Sequence, residues 1–313
     1  MHGLNLEQVL QVIRGLPRLP ETHTRVIALA NDPLTSTSEI ARAVNTDTGL
    51  AAQVLQLANT PFYGMNGRID SVARAVVTLG VRVVCSLATG AGMVQTLEGH
   101  DPRKQCGIDI WRHCLQTAVA ARSLAEDDGT IDPDLAFTGG LLHDMGKLVL
   151  AVLFPEPYQD VLTEHANTGI PLIELENQFF GIDHAQVGAV LCETWCLPAT
   201  LQTIIEHHHT PPVSRDVGYM VACGSVLARL VTPHASGEIH VRESELAGLI
   251  DSTPRVELLR RLVVSQSMQP PAPSNEQAAL TVLVDCDRPA IREAIHLVSL
   301  TCGFTPLSSR DDQ

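Results

Sequence analysis

The sequence predicts an all-α protein of two helical subdomains, followed by a small strand–helix appendage. Three observations carry this prediction. Aromatic residues make up 4 % of the 313 residues and apolar residues 45 %, so a core has to be assembled mostly from Leu, Val, Ile and Ala. Apolar positions recur at helical spacing in one segment after another, whereas the apolar–polar alternation of half-buried strands is scarce. Proline, glycine and capping residues mark off these segments at lengths suited to short helices.

Taken in order, residues 4–14 read as a short amphipathic helix. Pro17 and Pro20 punctuate the next stretch, and a second helix carries Val26, Ile27 and Leu29 as far as "NDP". Ser36 and Glu39 form an S-x-x-E capping box ahead of Ile40 and Val44. "DTGLAAQVLQLANTPFYG" is a further helix ending by Pro61 and Gly64. Its "NTPFYG" end reads as a structural turn, with a contact role for Phe62 and Tyr63 as the alternative. Asp70 is the expected N-cap of the next helix, which reaches Gly80, and "VRVVCSLATGAGMVQTL" completes an N-terminal subdomain over residues 1–108.

A polar break from Gly99 to Gly107 precedes the second subdomain, residues 109–265. It opens with the helix "DIWRHCLQTAVAARSLAED" and continues with helices over 134–154, 156–168 and 171–179. "DHAQVGAVLCETWC" follows, then "PATLQTIIEHHH" with Pro198 near its first turn, and then "GYMVACGSVLARLV". The proline-rich stretch 266–277 reads as a linker. In the 278–310 appendage, "AALTVLVDC" reads as a strand and "PAIREAIHLVSLTCG" as a helix ending at Gly303. One strand and one helix bury little, so this tail has to pack on the main body or on another chain.

Charge and cysteine usage narrow the function classes. A formal net charge of −14 repels phosphate backbones and argues against nucleic acid as a partner. The eight cysteines include no CxxC pair, and Cys192 and Cys196 stand one helical turn apart. "MHGLNLEQVL" lacks the charged start and apolar run of a secretory leader. "LVLAVLF" is far too short to cross a bilayer. The expectation is a cytoplasmic chain with reduced thiols and no membrane contact.

Chemistry concentrates in "GLLHDMGKLVL". Burying an unpaired carboxylate costs several kcal/mol, so Asp144, beside His143 in an apolar segment, needs a partner. His113 lies mid-helix on a stripe with Gln116, Thr117 and Ala120. His184 starts a helix whose Gly188 and Cys192 would let another helix approach closely. His207, His208 and His209 end the helix after that. Imidazole nitrogen and carboxylate oxygen suit Zn, Fe or Mn, an aspartate can bridge two ions, and helical bundles assemble such sites from facing helices. Read singly, each residue also has an ordinary role: an ion pair for Asp144, a satisfied core position for His113, a solvated helix end for the triple histidine.

"LPRLPETHTRVIALANDPLTSTSEIARAVNTDTGLAAQVLQLANTPFYG" resembles the start of the HDOD domain, a bacterial signalling output module related to HD phosphohydrolases. "SVARAVVTLGVRVVCSLA", "IWRHCLQTAVAARSLA", "FTGGLLHDMGKLVL" and "DHAQVGAVLCETWCLPATLQTIIEHHH" continue the likeness in order over about residues 12–232. The second half is also similar to the HD-GYP phosphodiesterases, which hydrolyse cyclic di-GMP at a metal centre. That similarity implies His113, His143 and Asp144 for one metal. It implies Asp144, His184, His207 and His208 for a second. Lys147 would contact substrate phosphate and, in an active enzyme, act with Asp144, while Asp109 stands where some relatives add a carboxylate ligand. Two departures stand out: Cys223 falls where the enzymes carry an aspartate, and no GYP loop follows the histidines.

The resemblance therefore implies a signal-transduction protein that works through contacts with a protein partner. It would bind one or two divalent ions (Fe, Mn or Zn) without efficient hydrolysis. The alternatives are a metal-dependent phosphohydrolase acting on a cyclic dinucleotide or nucleotide, and a nucleotide receptor without turnover. A homodimer is compatible with either.

Overall fold

The computed structural model describes residues 6–60, 63, 69–98, 104–210 and 216–231, and three short strands at 238–242, 281–285 and 305–308. For 98, 104–109, 229–231 and the strands, the backbone alone is described. The linker at 266–277 and the expected helix after Pro289 lie outside the described residues.

The first bundle gathers α2 (Glu21–Asn31), α3 (Thr37–Val44), α4 (Thr48–Ala58) and α5 (Val72–Leu79) against α6 (Val81–Glu98). Local chemistry sets the helix ends. Ser36 and Glu39 form the expected reciprocal capping box at α3. Asp47 caps α4 by accepting from the Leu50 amide at 2.9 Å. The cap of α5 is Ser71 and not the expected Asp70; Asp70 instead faces Arg74 at 3.6 Å on the exposed surface. Helix α4 ends at Ala58, ahead of Pro61, because the Asn59 side chain turns back to clamp the Ile69 backbone through both its amide groups. Tyr63 lies under the Arg122 guanidinium, 5.9 Å from the ring centre. Phe62 is outside the described residues.

The spine of the second bundle is α7 (Lys104–Asp128), packed along α8 (Pro133–Leu142) and α14 (Val217–Val231). Around it stand α9 (Met145–Leu153), α10 (Pro155–Thr168), α11 (Leu172–Phe180), α12 (His184–Thr194) and α13 (Ala199–Glu206). The bundles meet through α6, which packs on α8 and α9. Ser86 and Thr138 join their hydroxyls there at 2.6 Å, and Arg82 reaches Asp132 at 2.9 Å. The chain also crosses back at its start. Helix α1 (Leu6–Arg14) packs on α12, and Trp195 Nε1–H donates to the Pro17 carbonyl at 3.1 Å.

Two features correct the sequence reading. The single helix expected over 134–154 is broken into α8 and α9, with His143 and Asp144 in the break. Its 21 residues from Pro133 to Leu153 are long and apolar enough to cross a membrane, but 78 % of the most apolar window is buried inside the protein. A helix closing a core gives the same hydropathy as a span. Towards the C-terminus, β1 (Glu238–Arg242), β2 (Thr281–Asp285) and β3 (Thr305–Ser308) form a parallel sheet in that order. The expected strand "AALTVLVDC" supplies β2. Its neighbour β1 comes from a stretch expected to be helical; in "EIHVR", β-branched residues at alternate positions favour a strand even over so short a run.

Two glycines bring the helices of the second bundle unusually close. A Cβ on Gly146 would sit 1.9 Å from the His184 carbonyl oxygen, so α9 and α12 touch backbone to backbone. A Cβ on Gly224 would lie 2.8 Å from the Thr117 carbonyl oxygen, which seats α14 directly on α7. Gly146→Ala is therefore expected to cost about 3 kcal/mol or more by overpacking against backbone that cannot yield, measured by denaturant unfolding. A loss below about 1 kcal/mol would contradict the contact.

Cys196 is the one residue other than glycine with a positive φ, +55°, among the described residues. It follows α12, where the Leu197 amide returns to the Cys192 carbonyl at 2.8 Å. That left-handed position usually belongs to glycine, because a Cβ there crowds the following carbonyl by roughly 1–2 kcal/mol. Cys196→Gly should raise unfolding stability by about 1 kcal/mol; an unchanged or lower value would contradict the strain.

Candidate metal centre

The ends of α8 and α13 use the same device. The last carbonyls of a helix have no partner inside it. His143 follows α8 and its Nδ1 lies 2.8 Å from the Gly140 carbonyl oxygen. His208 follows α13 and its Nδ1 lies 2.6 Å from the Ile205 carbonyl oxygen. A carbonyl can only accept, so in both rings Nδ1 carries a proton and Nε2 is the atom left for the cluster. Each histidine thus closes its own helix and turns Nε2 inward.

His184 is oriented differently. It opens α12, and Glu176 on α11 accepts from both its Nδ1–H, at 2.5 Å, and its backbone N–H, at 2.9 Å. Tyr158 on α10 donates to the other oxygen of Glu176 at 3.2 Å. Nε2 of His184 therefore also faces inward. His113 arrives from the middle of α7.

These rings converge on Asp144, which is 2 % exposed. Its Oδ2 lies 3.4 Å from His113 Nε2 and 3.3 Å from His143 Nε2. Its Oδ1 lies 3.3 Å from His184 Nε2 and 3.5 Å from His208 Nε2. Lys147, one turn along α9, meets Oδ2 at 2.7 Å. His209 completes the group, with its Nε2 2.8 Å from that of His184. The donor atoms fall into two sets that share Asp144: His113 and His143 on one side, His184, His208 and His209 on the other.

The separations fit an ion. Two donors held tetrahedrally at about 2.1 Å from one metal stand about 3.4 Å apart. The four imidazole–carboxylate distances cluster at that value and exceed a good N–H···O hydrogen bond. His143 Nε2, His208 Nε2 and Asp144 Oδ1 are buried and make no hydrogen bond within the protein, an expensive arrangement for polar atoms with nothing to bind. Chemistry and spacing of the donor set thus both suit a divalent ion of the Zn, Fe or Mn type.

The electrostatics agree. Burial alone would raise the Asp144 carboxyl, but His143 and Lys147 beside it outweigh burial and hold it well below the usual range. Burial pushes His208 down to about 4 against a weaker pull from Asp144, so at neutral pH its lone pair is available. For His184, burial and Lys147 press downward, and Glu176 with Asp144 more than compensates. His113 and Lys147 keep 17 % and 21 % of their side-chain surface exposed while His143 and His184 keep none. The cluster therefore meets solvent at His113 and Lys147 and, in the other donor set, at the exposed His209.

The structure brings His113, His143, Asp144, Lys147, His184 and His208 together. His207 is not with them: it caps α13, is exposed, and belongs to neither donor set. His209 takes the place expected for it. The helical spacing does not choose between them, since 207 lies three residues after Ile204 and 209 four after Ile205. Cys223, where the resemblance sets the missing aspartate, is buried on α14. Ser225, two residues on and so nearly opposite on the helix, places its Oγ 3.3 Å from His113 Nε2. The side chain of Asp109 is outside the described residues. Sequence reasoning missed Glu176 altogether, although a carboxylate in line with Leu172 and Phe180 on one helical stripe marks a buried acid.

The model of the HDOD domain family matches residues 16–211, and the chain belongs to that family. A protein of Treponema pallidum (strain Nichols) whose function is not characterised is 29 % identical over 204 residues, 64 % of this chain and 39 % of its own length. The chain thus spans well under half of that curated relative. Two solved structures share the fold. A candidate signal transduction protein from Marinobacter aquaeolei VT8 is 28 % identical at a TM-score of 0.60, covering 86 % of this chain and 61 % of its own. A candidate phosphohydrolase from Shewanella amazonensis SB2B is 25 % identical at a TM-score of 0.56, covering 85 % and 89 %.

His208 imposes a pH dependence of definite sign. With a folded pKa of about 4 against 6.5 in the open chain, it binds a proton more readily when unfolded. Stability of the metal-free protein should therefore fall as pH drops from 6.5 towards 4, by up to about 1.4 kcal/mol per pH unit from this group. Denaturant unfolding across that window should be less pH-dependent in His208→Gln than in wild type. Equal slopes would contradict a buried neutral ring.

Proposed function

We propose that this chain is a cytoplasmic HDOD signalling protein that acts through contacts with a protein partner. It carries a divalent-metal centre built from His113, His143, Asp144, His184, His208 and His209. The observation behind the metal is the set of four imidazole–carboxylate separations of 3.3–3.5 Å around one buried aspartate. Membership of the HDOD family and the likeness to a candidate signal transduction protein support the signalling role. The acidic net charge speaks against a nucleic-acid partner.

In this reading His143 and His208 would hold the ends of α8 and α13 to a bound ion, His184 would hold the start of α12, and Asp144 would be shared by the two donor sets. Loss of an ion would leave three helix ends facing an unbalanced cluster, a natural point for a signal to act.

A second reading, a phosphohydrolase acting on cyclic di-GMP or another nucleotide, is favoured by one observation: Lys147 stands on the solvent side of Asp144, placed to receive a phosphate. A bound divalent ion supplies a water acidic enough to give hydroxide near neutral pH. The chain's own part would be to bind phosphate through Lys147, while the buried histidines keep the floor free of solvent. Ser225 weighs against it, since α14 offers His113 a hydroxyl where a carboxylate would complete a harder donor set. A nucleotide receptor without turnover would use the same opening.

One experiment separates these. Protein expressed with Mn, Fe or Zn should hold at least one ion per chain by elemental analysis, and Asp144→Asn should hold almost none. Neither chain should hydrolyse cyclic di-GMP or a simple phosphodiester at an enzyme-like rate. Turnover abolished by Asp144→Asn would establish the hydrolase in place of the signalling reading, and an ion-free wild type would remove the metal from both.

A further inference from the structure

We propose that Glu176 is a positioning residue of the metal centre. Its buried carboxylate fixes His184 as the strongest imidazole donor, so that the set on the Asp144 Oδ1 side binds its ion more tightly than the set on the Oδ2 side. This rests on the metal reading above and extends it to a residue on α11 that touches no donor atom of the cluster.

The geometry carries the assignment. Glu176 and His184 are both fully buried. A buried carboxylate is tolerated only when its oxygens are well satisfied. Here Oε2 accepts two hydrogen bonds from His184, ring and backbone, and Oε1 accepts one from Tyr158. Holding the ring at Nδ1 and the backbone at N leaves His184 little freedom to rotate, and Nε2 is aimed at Asp144 Oδ1, 3.3 Å away. A carboxylate behind an imidazole also raises the basicity of the far nitrogen.

Two of the other rings have a neutral partner at Nδ1. His143 and His208 lean on neutral carbonyls, and His113 has a neutral hydroxyl, Ser225, at its Nε2. The two donor sets are therefore unequal. One has three imidazoles, one of them backed by a charge; the other has two, with a serine beside it. Helices α10 and α11, which contribute no donor of their own, gain a role as the brace for Glu176.

Glu176→Gln tests this cleanly, because glutamine keeps the shape and a carbonyl acceptor for His184 but removes the charge. Metal-free wild type and E176Q would be titrated with Mn²⁺ and with Zn²⁺ by calorimetry, and the His184 ring followed by ¹⁵N–¹H correlation. Wild type should show two unequal binding steps. E176Q should weaken the tighter one by about 10–100-fold, the usual effect of losing such a partner, and leave the weaker one unchanged. His113→Gln should do the reverse. In the metal-free chains, the far-downfield Nδ1–H resonance of His184 should move upfield in E176Q, a change that a purely structural role for Glu176 would not require. Glu176→Asp should recover part of the affinity.

Equal affinities in wild type and E176Q would overturn the assignment and leave the metal reading intact. So would a metal-free wild type with its proton on Nε2 of His184. A wild type that takes up neither ion would overturn the metal reading and this inference together, and the wild-type titration alone would reveal it.

Discussion

One carboxylate governs the second bundle. Asp144 is buried where water cannot solvate it, and among the described residues its one close hydrogen bond is to the Lys147 ammonium. A lone buried anion is costly, yet four imidazoles are drawn up around it slightly too far away to bond it directly. That spacing is hard to account for as a set of hydrogen bonds and is natural as the edges of a coordination shell. In metal-free protein, Lys147 supplies the positive charge that the cluster otherwise requires.

The fold delivers this arrangement through helix ends and close contacts, with no long loop involved. Asp144 sits in the break between α8 and α9, and His143 and His208 each close the helix they follow. Gly146 lets α9 meet α12 at backbone distance, carrying Asp144 to His184. Gly224 does the same for α14 and α7, which sets Ser225 against His113. The donors are thus held by backbone geometry and by hydrogen bonds to carbonyls and to Glu176. Preorganisation of this kind lets an ion bind without first ordering its ligands.

Much of the helical framework was legible because it follows from local rules. The capping box at Ser36 and Glu39, the proline and glycine stops, and the small residues at the start of α12 are all short-range signals. So is the likeness to the HDOD family, whose spread of motifs reflects the same constraints. What could not be read was whatever depends on rotation about a helix axis or on contacts between distant segments. His207 and His209 are chemically identical, both are exposed and both are in step with the apolar residues of α13; the turn after the helix decides that His209 meets His184. Cys223 and Ser225 differ by a rotation of about 200° around α14. The break at Asp144 leaves little mark in composition, since both halves are apolar and no proline stands at the joint. Glu176 acquires its meaning from α12, which follows it in the chain and folds back over it.

The two donor sets share one aspartate but not one environment. The Oδ1 side has three imidazoles, one of them backed by Glu176; the Oδ2 side has two, with a serine beside it and Lys147 on the shared carboxylate. Anomalous diffraction from crystals grown with Mn²⁺ or Zn²⁺ tests this most directly. A peak between Asp144 Oδ1 and the Nε2 atoms of His184 and His208 is the predicted result. Density showing no ion at Asp144, with the imidazoles bonded to other protein groups, would contradict it.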